Sequence, residues 1–277
     1  MDNTHFLSHR LRGFDTVEAS LKALKSASAS SIPYLEIDTR VSADTTIYVH
    51  HDDLVQVKGD SVHISKSSSA TINAFLQKHA LDIPTLDEFL ALFAQRTNRA
   101  QILMIDIKDF GYEKEHHGLV QKYDLFANIA WVSWLPQTLL ALERLDPKST
   151  KILSYLPLTR FFAFFLQKIP IIKLPLIPIV LIGPQSFKAD LGTNAKGFQH
   201  AYLTQKLPKE LINILSKNGG GVCISKNFLS QDLLAFNREH HLKTAVFSAK
   251  NRSEYSKLVA FGADIIFCDF IDKKVWQ

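Results

Sequence analysis

Two histidines, an arginine and a set of carboxylates carry the chemistry that can be read from this chain. Ser8-His9-Arg10 is followed by Glu36-Ile37-Asp38 and then by Val49-His50-His51-Asp52. Such a group offers a base, an acid, a planar guanidinium for an anionic oxygen and an oxygen-donor cation site, which is a kit for phosphoester chemistry. An imidazole that titrates near neutrality can take a proton from an attacking hydroxyl and give one to a leaving oxygen, so His9 and His51 are the acid–base candidates. Arg10 supplies the fork for a phosphate oxygen. His50 should alternate to the face opposite His51 and is read as a structural or surface residue.

Residues two apart on a strand face the same side, so Glu36 and Asp38 should point together, and the same spacing recurs at Asp106 and Lys108. Three acids from two neighbouring strands suit a hard cation such as Mg²⁺ or Ca²⁺, while His and Cys in zinc proportions are missing. Lys108 beside them would hold phosphate. A lone acid at a strand end reads as an ion-pair residue, but that reading does not account for three acids and a lysine of matched parity. His116, His117, His240 and His241 fall in helical or loop stretches and are read as solvated surface.

The elements that must position these groups form a regular series. Short apolar runs alternate with longer helical patterns, the mark of βα repetition and a parallel sheet. Eight strands are expected: His5 to His9, Tyr34 to Asp38, Ile102 to Lys108, Ile129 to Trp134, Lys151 to Leu156, Val222 to Ser225, Thr244 to Ser248 and Asp264 to Asp269. Eight such units in 277 residues is the size of a TIM (β/α)₈ barrel, whose active site lies at the C-terminal strand ends, where the polar residues above fall. The whole chain, 1–277, is read as one barrel domain, with a small excursion after strand two that includes a short strand, Thr45 to Asp52. Ile83-Pro84-Thr85-Leu86-Asp87-Glu88 reads as a turn into a helix start, and Phe261-Gly262-Ala263-Asp264 as a helix stop.

From Leu156 to Gly183 the pattern breaks into LPLTRFFAFFLQKIPIIKLPLIPIVLIG, an insertion after strand five. Its basic residues and prolines rule out an ordinary membrane span, which needs about 20 unbroken apolar residues. Two readings stay open. The segment is a hydrophobic barrel helix and loop packed on the core, or an apolar lip in which Phe161, Phe162, Phe164 and Phe165 meet lipid while Arg160, Lys168 and Lys173 sit at the rim.

The net charge of +5 and a pI near 9.0 fit an anionic substrate or a membrane surface. The basic residues are scattered, and no nucleic-acid motif is present. Cys223 and Cys268 both lie in apolar strand-like runs and are expected to be buried thiols, compatible with a reducing cytoplasm. The first residues lack a secretory pattern, so a cytoplasmic location is expected, with peripheral membrane contact through residues 156–183.

These residues resemble the glycerophosphodiester phosphodiesterase family of TIM barrels. Its His-Arg, Pro-Glu-Asn, Glu-x-Asp, Val-x-His-Asp, Glu-x-Lys, Trp-Thr-Val-Asn and final Thr-Asp elements have collinear counterparts here. They are His9-Arg10, Val17-Glu18-Ala19, Glu36-Ile37-Asp38, Val49-His50-His51-Asp52, Asp106-Ile107-Lys108, Phe247-Ser248-Ala249-Lys250 and Cys268-Asp269. The first four are specific; the last two are degenerate and speak only to the fold. The resemblance implies His9 and His51 as the catalytic pair, Arg10 and Lys108 on phosphate, Glu36, Asp38 and Asp106 on the metal, and Glu18 as a site-shaping residue.

Three departures bear on the substrate. Asp106 stands where the family has Glu, as in the related sphingomyelinase D branch. Phe247 stands where it has Trp and is taken as site-shaping. The Leu-Asp-Arg-Thr-Thr that often follows the His-Asp is absent after Asp52-Asp53-Leu54.

The expectation is a metal-dependent hydrolase that cleaves a glycerophosphodiester to an alcohol and glycerol phosphate. In the family picture a cyclic phosphate can form on the way. The alternatives are a lysophospholipase D or sphingomyelinase D-like enzyme acting on lipid, and a non-catalytic lipid- or phosphate-binding barrel. The expected partner is a small-molecule or lipid phosphodiester.

Overall fold

The computed structural model describes residues 5–158, 179–182 and 196–271. Its strands, in chain order, are β1 (Phe6–Ser8), β2 (Tyr34–Val41), β3 (Ile47–Val49), β4 (Leu54–Val57), β5 (Asp60–His63), β6 (Ile102–Ile107), β7 (Ile129–Ser133), β8 (Thr150–Ser154), β9 (Leu156–Pro157), β10 (Ile179–Ile182), β11 (Gln199–Thr204), β12 (Gly221–Ser225), β13 (Lys243–Ala249) and β14 (Ile265–Cys268). Eight of them run in the order β1-β14-β13-β12-β8-β7-β6-β2, and β1 pairs with β2 as well as β14, which closes a parallel barrel. These are the eight strands expected from the sequence, with ends shifted by a few residues.

Helices α1 (Leu21–Ser28), α2 (Ser69–Lys78), α3 (Leu86–Phe93), α4 (Glu113–Lys122), α5 (Pro136–Leu145), α6 (Lys209–Leu215), α7 (Gln231–Glu239) and α8 (Arg252–Phe261) accompany the strands. Their starts follow from local chemistry. Thr85 and Glu88 form a reciprocal capping box at α3, Ser20 and Ser230 cap α1 and α7, and Pro136 opens α5 where a missing N–H costs nothing. Gly262 ends α8 at φ 106°, in the left-handed region that suits glycine.

Apolar residues alternate along the strands into two layers. Leu7, Met104, Ala130, Val132, Ile152, Cys223, Ala245, Ile265 and Phe267 fill the barrel interior. A larger set, including Ile37, Ile105, Trp131, Phe89 and Leu139, packs the strands' outer face against the helices. Both cysteines are buried free thiols.

Two additions stand on the C-terminal side of the strands. After β2 the chain makes β3, antiparallel to β2, then the β4–β5 hairpin and α2, around a small core of Tyr48, Val55, Val62, Ile64, Ile72, Phe75 and Leu76. After β8 comes a three-stranded parallel sheet in the order β10-β11-β9. Arg160, Phe161, Phe162, Phe164, Phe165, Lys168 and Lys173 lie outside the described residues. Among the described residues no helix is long and apolar enough to cross a membrane.

Candidate active site

The site is assembled from the C-terminal ends of β1, β2, β6, β13 and β14 and from the loop after β3. Register does part of the work: Asp38 on β2 lies directly beside Asp106 on β6, and Glu36 beside Met104. Glu36, Asp38 and Asp106 are all buried, and one carboxylate oxygen from each lies within 4.8 Å of the other two.

His9 and Arg10 follow β1 in a tight turn. Arg10 and Leu11 both have φ 53°, in the left-handed range that costs a non-glycine residue about 1–3 kcal/mol. The turn points the Arg10 backbone N–H at Glu36 Oε2, 2.9 Å away, and brings Arg10 Nε to 2.9 Å from Asp38 Oδ2 in an ion pair. Lys108 Nζ bridges Asp38 Oδ1 at 2.8 Å and Asp106 Oδ2 at 2.5 Å. An ammonium has three N–H donors, so a phosphate oxygen could be its third partner.

His9 Nδ1 donates to Asp269 Oδ1 at 2.6 Å, and His9 Nε2 lies 4.0 Å from Glu36 Oε2. Asp269 also accepts from Ser248 Oγ at 2.5 Å and from Arg12 Nη1 at 2.5 Å. Burial would raise the Asp269 carboxyl, but His9, Ser248 and Arg12 outweigh it and hold it below the usual range. A carboxylate kept ionised in this way can only accept, so the His9 ring carries a proton on Nδ1 and turns its Nε2 edge toward Glu36. Glu18, at the rim, accepts from Arg12 Nε at 2.6 Å and lies 3.6 Å from Arg10 Nη1. Phe247 packs edge-on against Trp134, with ring centroids 5.8 Å apart.

His51 approaches from the excursion. Its Nδ1 donates to Asp52 Oδ1 at 2.7 Å, and its backbone carbonyl accepts from Arg40 Nε at 2.9 Å. Desolvation lowers its pKa, only partly offset by the bond to Asp52, so the neutral ring is favoured. His9, Arg10, Glu36, Asp38, Asp106 and Lys108 are thus linked by direct contacts. His51 joins them as a wall of the same cavity, which Arg10 and Asp38 also line.

Three carboxylates here face two cations, Arg10 and Lys108. Burial and then Asp38 push Glu36 well above the usual carboxylate range. Burial would also raise Asp38, but Lys108, His51 and Arg10 prevail and hold it low. Lys108 is likewise raised, because Asp106 and Asp38 outweigh its desolvation. Asp106 Oδ1 is buried without a hydrogen-bond partner. An orphaned carboxylate oxygen inside an excess of negative charge fits a divalent cation with oxygen ligands.

Two expectations need correction. His50 does not face away: it lines the same cavity as His51, because β3 ends at Val49 and strict alternation ends with it. His116 is not on the surface. It is fully buried, with Nδ1 donating to the Tyr112 carbonyl at 2.7 Å and Nε2 3.0 Å from Thr39 Oγ1, and burial lowers its pKa to about 4.

The sequence reading missed Ser248 and Asp269 as contributors to the site, as well as the Arg40–Asp109 pair. Arg40 and Asp109 are fully buried, 3.1 Å apart. Arg40 also donates to the Phe198 carbonyl at 3.0 Å, and Asp109 accepts from Val41 N at 2.9 Å and Gly197 N at 2.7 Å. The pair thus ties β2 and β6 to the chain entering β11 and to His51.

No protein-family model matches the chain, and no curated protein sequence does. Solved structures do match in shape. A glycerophosphodiester phosphodiesterase from Parabacteroides distasonis aligns at 17% identity and TM-score 0.65, over 97% of this chain and 93% of that one. A phosphodiesterase from Oleispira antarctica, solved with the product sn-glycerol-3-phosphate, aligns at 18% identity and TM-score 0.63, over 96% and 93%. The glycerophosphodiester phosphodiesterase of Thermotoga maritima aligns at 16% and 0.55, over 97% and 96%. At such identities, what is shared is the barrel fold.

Proposed function

We propose that this barrel hydrolyses a glycerophosphodiester to an alcohol and glycerol phosphate. The observation that carries the reading is the convergence at one barrel mouth of two imidazoles, a guanidinium, an ammonium and three carboxylates. The Oleispira antarctica structure with sn-glycerol-3-phosphate, on the same fold, lends the substrate class. A merely binding barrel has no use for two imidazoles each bonded through Nδ1 to a carboxylate beside such a cluster.

Arg10 and the third donor of Lys108 hold the phosphate. One imidazole, His9 or His51, takes a proton from the attacking water or glycerol hydroxyl. The other gives a proton to the oxygen that leaves. In net hydrolysis a P–O bond to water forms, the P–O bond to the alcohol breaks, and the water's proton ends on that alcohol. A divalent cation, Mg²⁺ or Ca²⁺, held by Glu36, Asp38 and Asp106, would neutralise phosphate charge and acidify a bound hydroxyl. Glu18 keeps Arg10 and Arg12 at the rim.

The test is release of choline from glycerophosphocholine and of ethanolamine from glycerophosphoethanolamine, with and without chelator. Release that chelator abolishes and Mg²⁺ or Ca²⁺ restores is expected. Undiminished release in metal-free protein would remove the cation from the reaction.

A further inference from the structure

A second cavity opens at the opposite end of the barrel. Tyr34, Ile102, Ile129, Thr150, Lys243 and Ile265, which line it, are the first residues of β2, β6, β7, β8, β13 and β14, so it lies at the N-terminal mouth of the strands. It measures about 270 Å³ and shares no lining residue with the cavity around His51. A cavity of about 150 Å³ already holds a benzene ring, so this one has room for a ligand of roughly ten non-hydrogen atoms. In a TIM barrel that end ordinarily serves stability.

The floor of this cavity is aliphatic and its rim is cationic. Met104, Ala130, Ile152 and Ile265, all buried, close the inner end. At the rim, β12 lies between β8 and β13, and the Asn218-Gly219 turn that leads into it is flanked by Lys148, just before β8, and by Lys243. The turn is held in place: Asn218 Nδ2 donates to the Pro147 carbonyl at 2.9 Å, and Thr150 Oγ1 donates to the Asn218 carbonyl at 2.8 Å. Gly219, at φ 70°, carries no side chain, and Lys243 Nζ lies 3.4 Å from where its Cβ would stand, so the ammonium folds over the turn at the mouth. Among the described residues neither the Lys148 nor the Lys243 ammonium has a carboxylate or other hydrogen-bond partner. Asp264, next to Ile265, is already bonded to the Thr244 N–H at 2.7 Å. An apolar body gains by leaving water for such a floor, and each ammonium can donate to an anionic head above it.

We propose that this N-terminal mouth binds a small organic anion, with its carboxylate or phosphate head on Lys148 and Lys243 and its apolar body on Met104, Ala130, Ile152 and Ile265. The site is separate from the carboxylate cluster and independent of the hydrolase reading.

Met1 and Met104 are the two methionines of the chain, so a methyl-¹³C methionine label places one signal, assigned by Met104→Leu, at the floor of this cavity. The experiment follows that signal by NMR in the full chain during titration with hexanoate, butyl phosphate, hexanol and inorganic phosphate. A saturable shift is expected with hexanoate or butyl phosphate, and the tighter of the two identifies the head. Hexanol and inorganic phosphate, each lacking one half of the ligand, should bind about tenfold more weakly or worse. Lys148→Gln and Lys243→Gln, at exposed positions, should each weaken the organic anion about tenfold, whereas Arg10→Gln, at the other mouth, should leave its titration unaltered. No shift with either organic anion overturns the proposal, as does hexanol or inorganic phosphate binding as tightly as its amphiphilic counterpart. Titrations that the lysine variants leave unchanged also overturn it, and loss of the shift in Arg10→Gln alone would place the anion at the catalytic mouth instead.

Discussion

His9 and His51 stand beside the same carboxylate cluster but are held by different kinds of structure. His9 continues from β1, which is paired on both sides, and its ring bonds to Asp269 at the end of β14, itself fixed by Ser248 and Arg12. His51 lies outside the barrel, and its ring partner, Asp52, is a sequence neighbour whose side chain is 63% exposed. What anchors His51 is its backbone carbonyl, held by Arg40, whose charge is balanced by Asp109. The barrel thus positions one imidazole through a side-chain network, and a buried ion pair positions the other through the main chain. The second arrangement makes half of the proposed chemistry depend on the two additions to the barrel.

If both imidazoles exchange protons with the reacting oxygens, His9→Ala and His51→Ala should each lower turnover by about 10² to 10⁴-fold in folded protein. His50→Ala, whose ring bonds to the Asp52 carbonyl, should cost little by comparison. A His50 variant as inactive as His51→Ala would assign the acid–base role to the wrong member of the pair.

Arg40→Met should reveal the second anchoring mode in stability. Removing one partner of a fully buried pair leaves Asp109 uncompensated and should cost about 3–5 kcal/mol in denaturant unfolding. Adding Asp109→Asn should recover part of that cost. Retention of full stability and turnover by Arg40→Met would show that His51 needs no such anchor.

His116, behind the β2 and β6 carboxylates, tests the barrel side through pH. An unfolded histidine takes up its proton near 6.5, whereas here uptake waits until about 4. Between those values the unfolded chain binds more protons, so stability is complete above 6.5 and falls by ~3 kcal/mol as pH drops toward 4. Urea unfolding across this range should give a shallower loss for His116→Gln. Equal slopes would mean that His116 is solvated.

The ring partners should give the smallest effects and the sharpest contrast. Asp269→Asn should lower turnover about 10- to 100-fold and shift the pH profile, by weakening control of the His9 tautomer. Asp52→Asn, at an exposed position, should do much less. Equal losses would erase the distinction between the two imidazoles.

The barrel was legible because its strands are short β-rich runs with turn signals between them, and the metal-type carboxylates because two-residue spacing sets facing within a strand. Asp38 and Asp106 still lie within β2 and β6, where that rule holds. His50 and His51 lie just past a strand end, where it fails. The β4–β5 hairpin escaped notice because its strands carry polar residues and its turn is Lys58-Gly59. Both turn residues have positive φ, as a type I′ turn requires, but Lys is an unusual first member. The Asp269–His9 and Arg40–Asp109 contacts join residues 260 and 69 positions apart. No local pattern encodes such pairs; they exist only once the barrel has closed.

The central claim, that this mouth hydrolyses a phosphodiester with both imidazoles, is tested most directly by phosphorus NMR of glycerophosphodiesters and lysolipids incubated with the protein and Mg²⁺. A glycerol phosphate or lysophosphatidate resonance should grow with the unaltered chain and nearly vanish with His9→Ala and with His51→Ala. No phosphomonoester from any of these diesters, or undiminished product from either variant, would contradict the account.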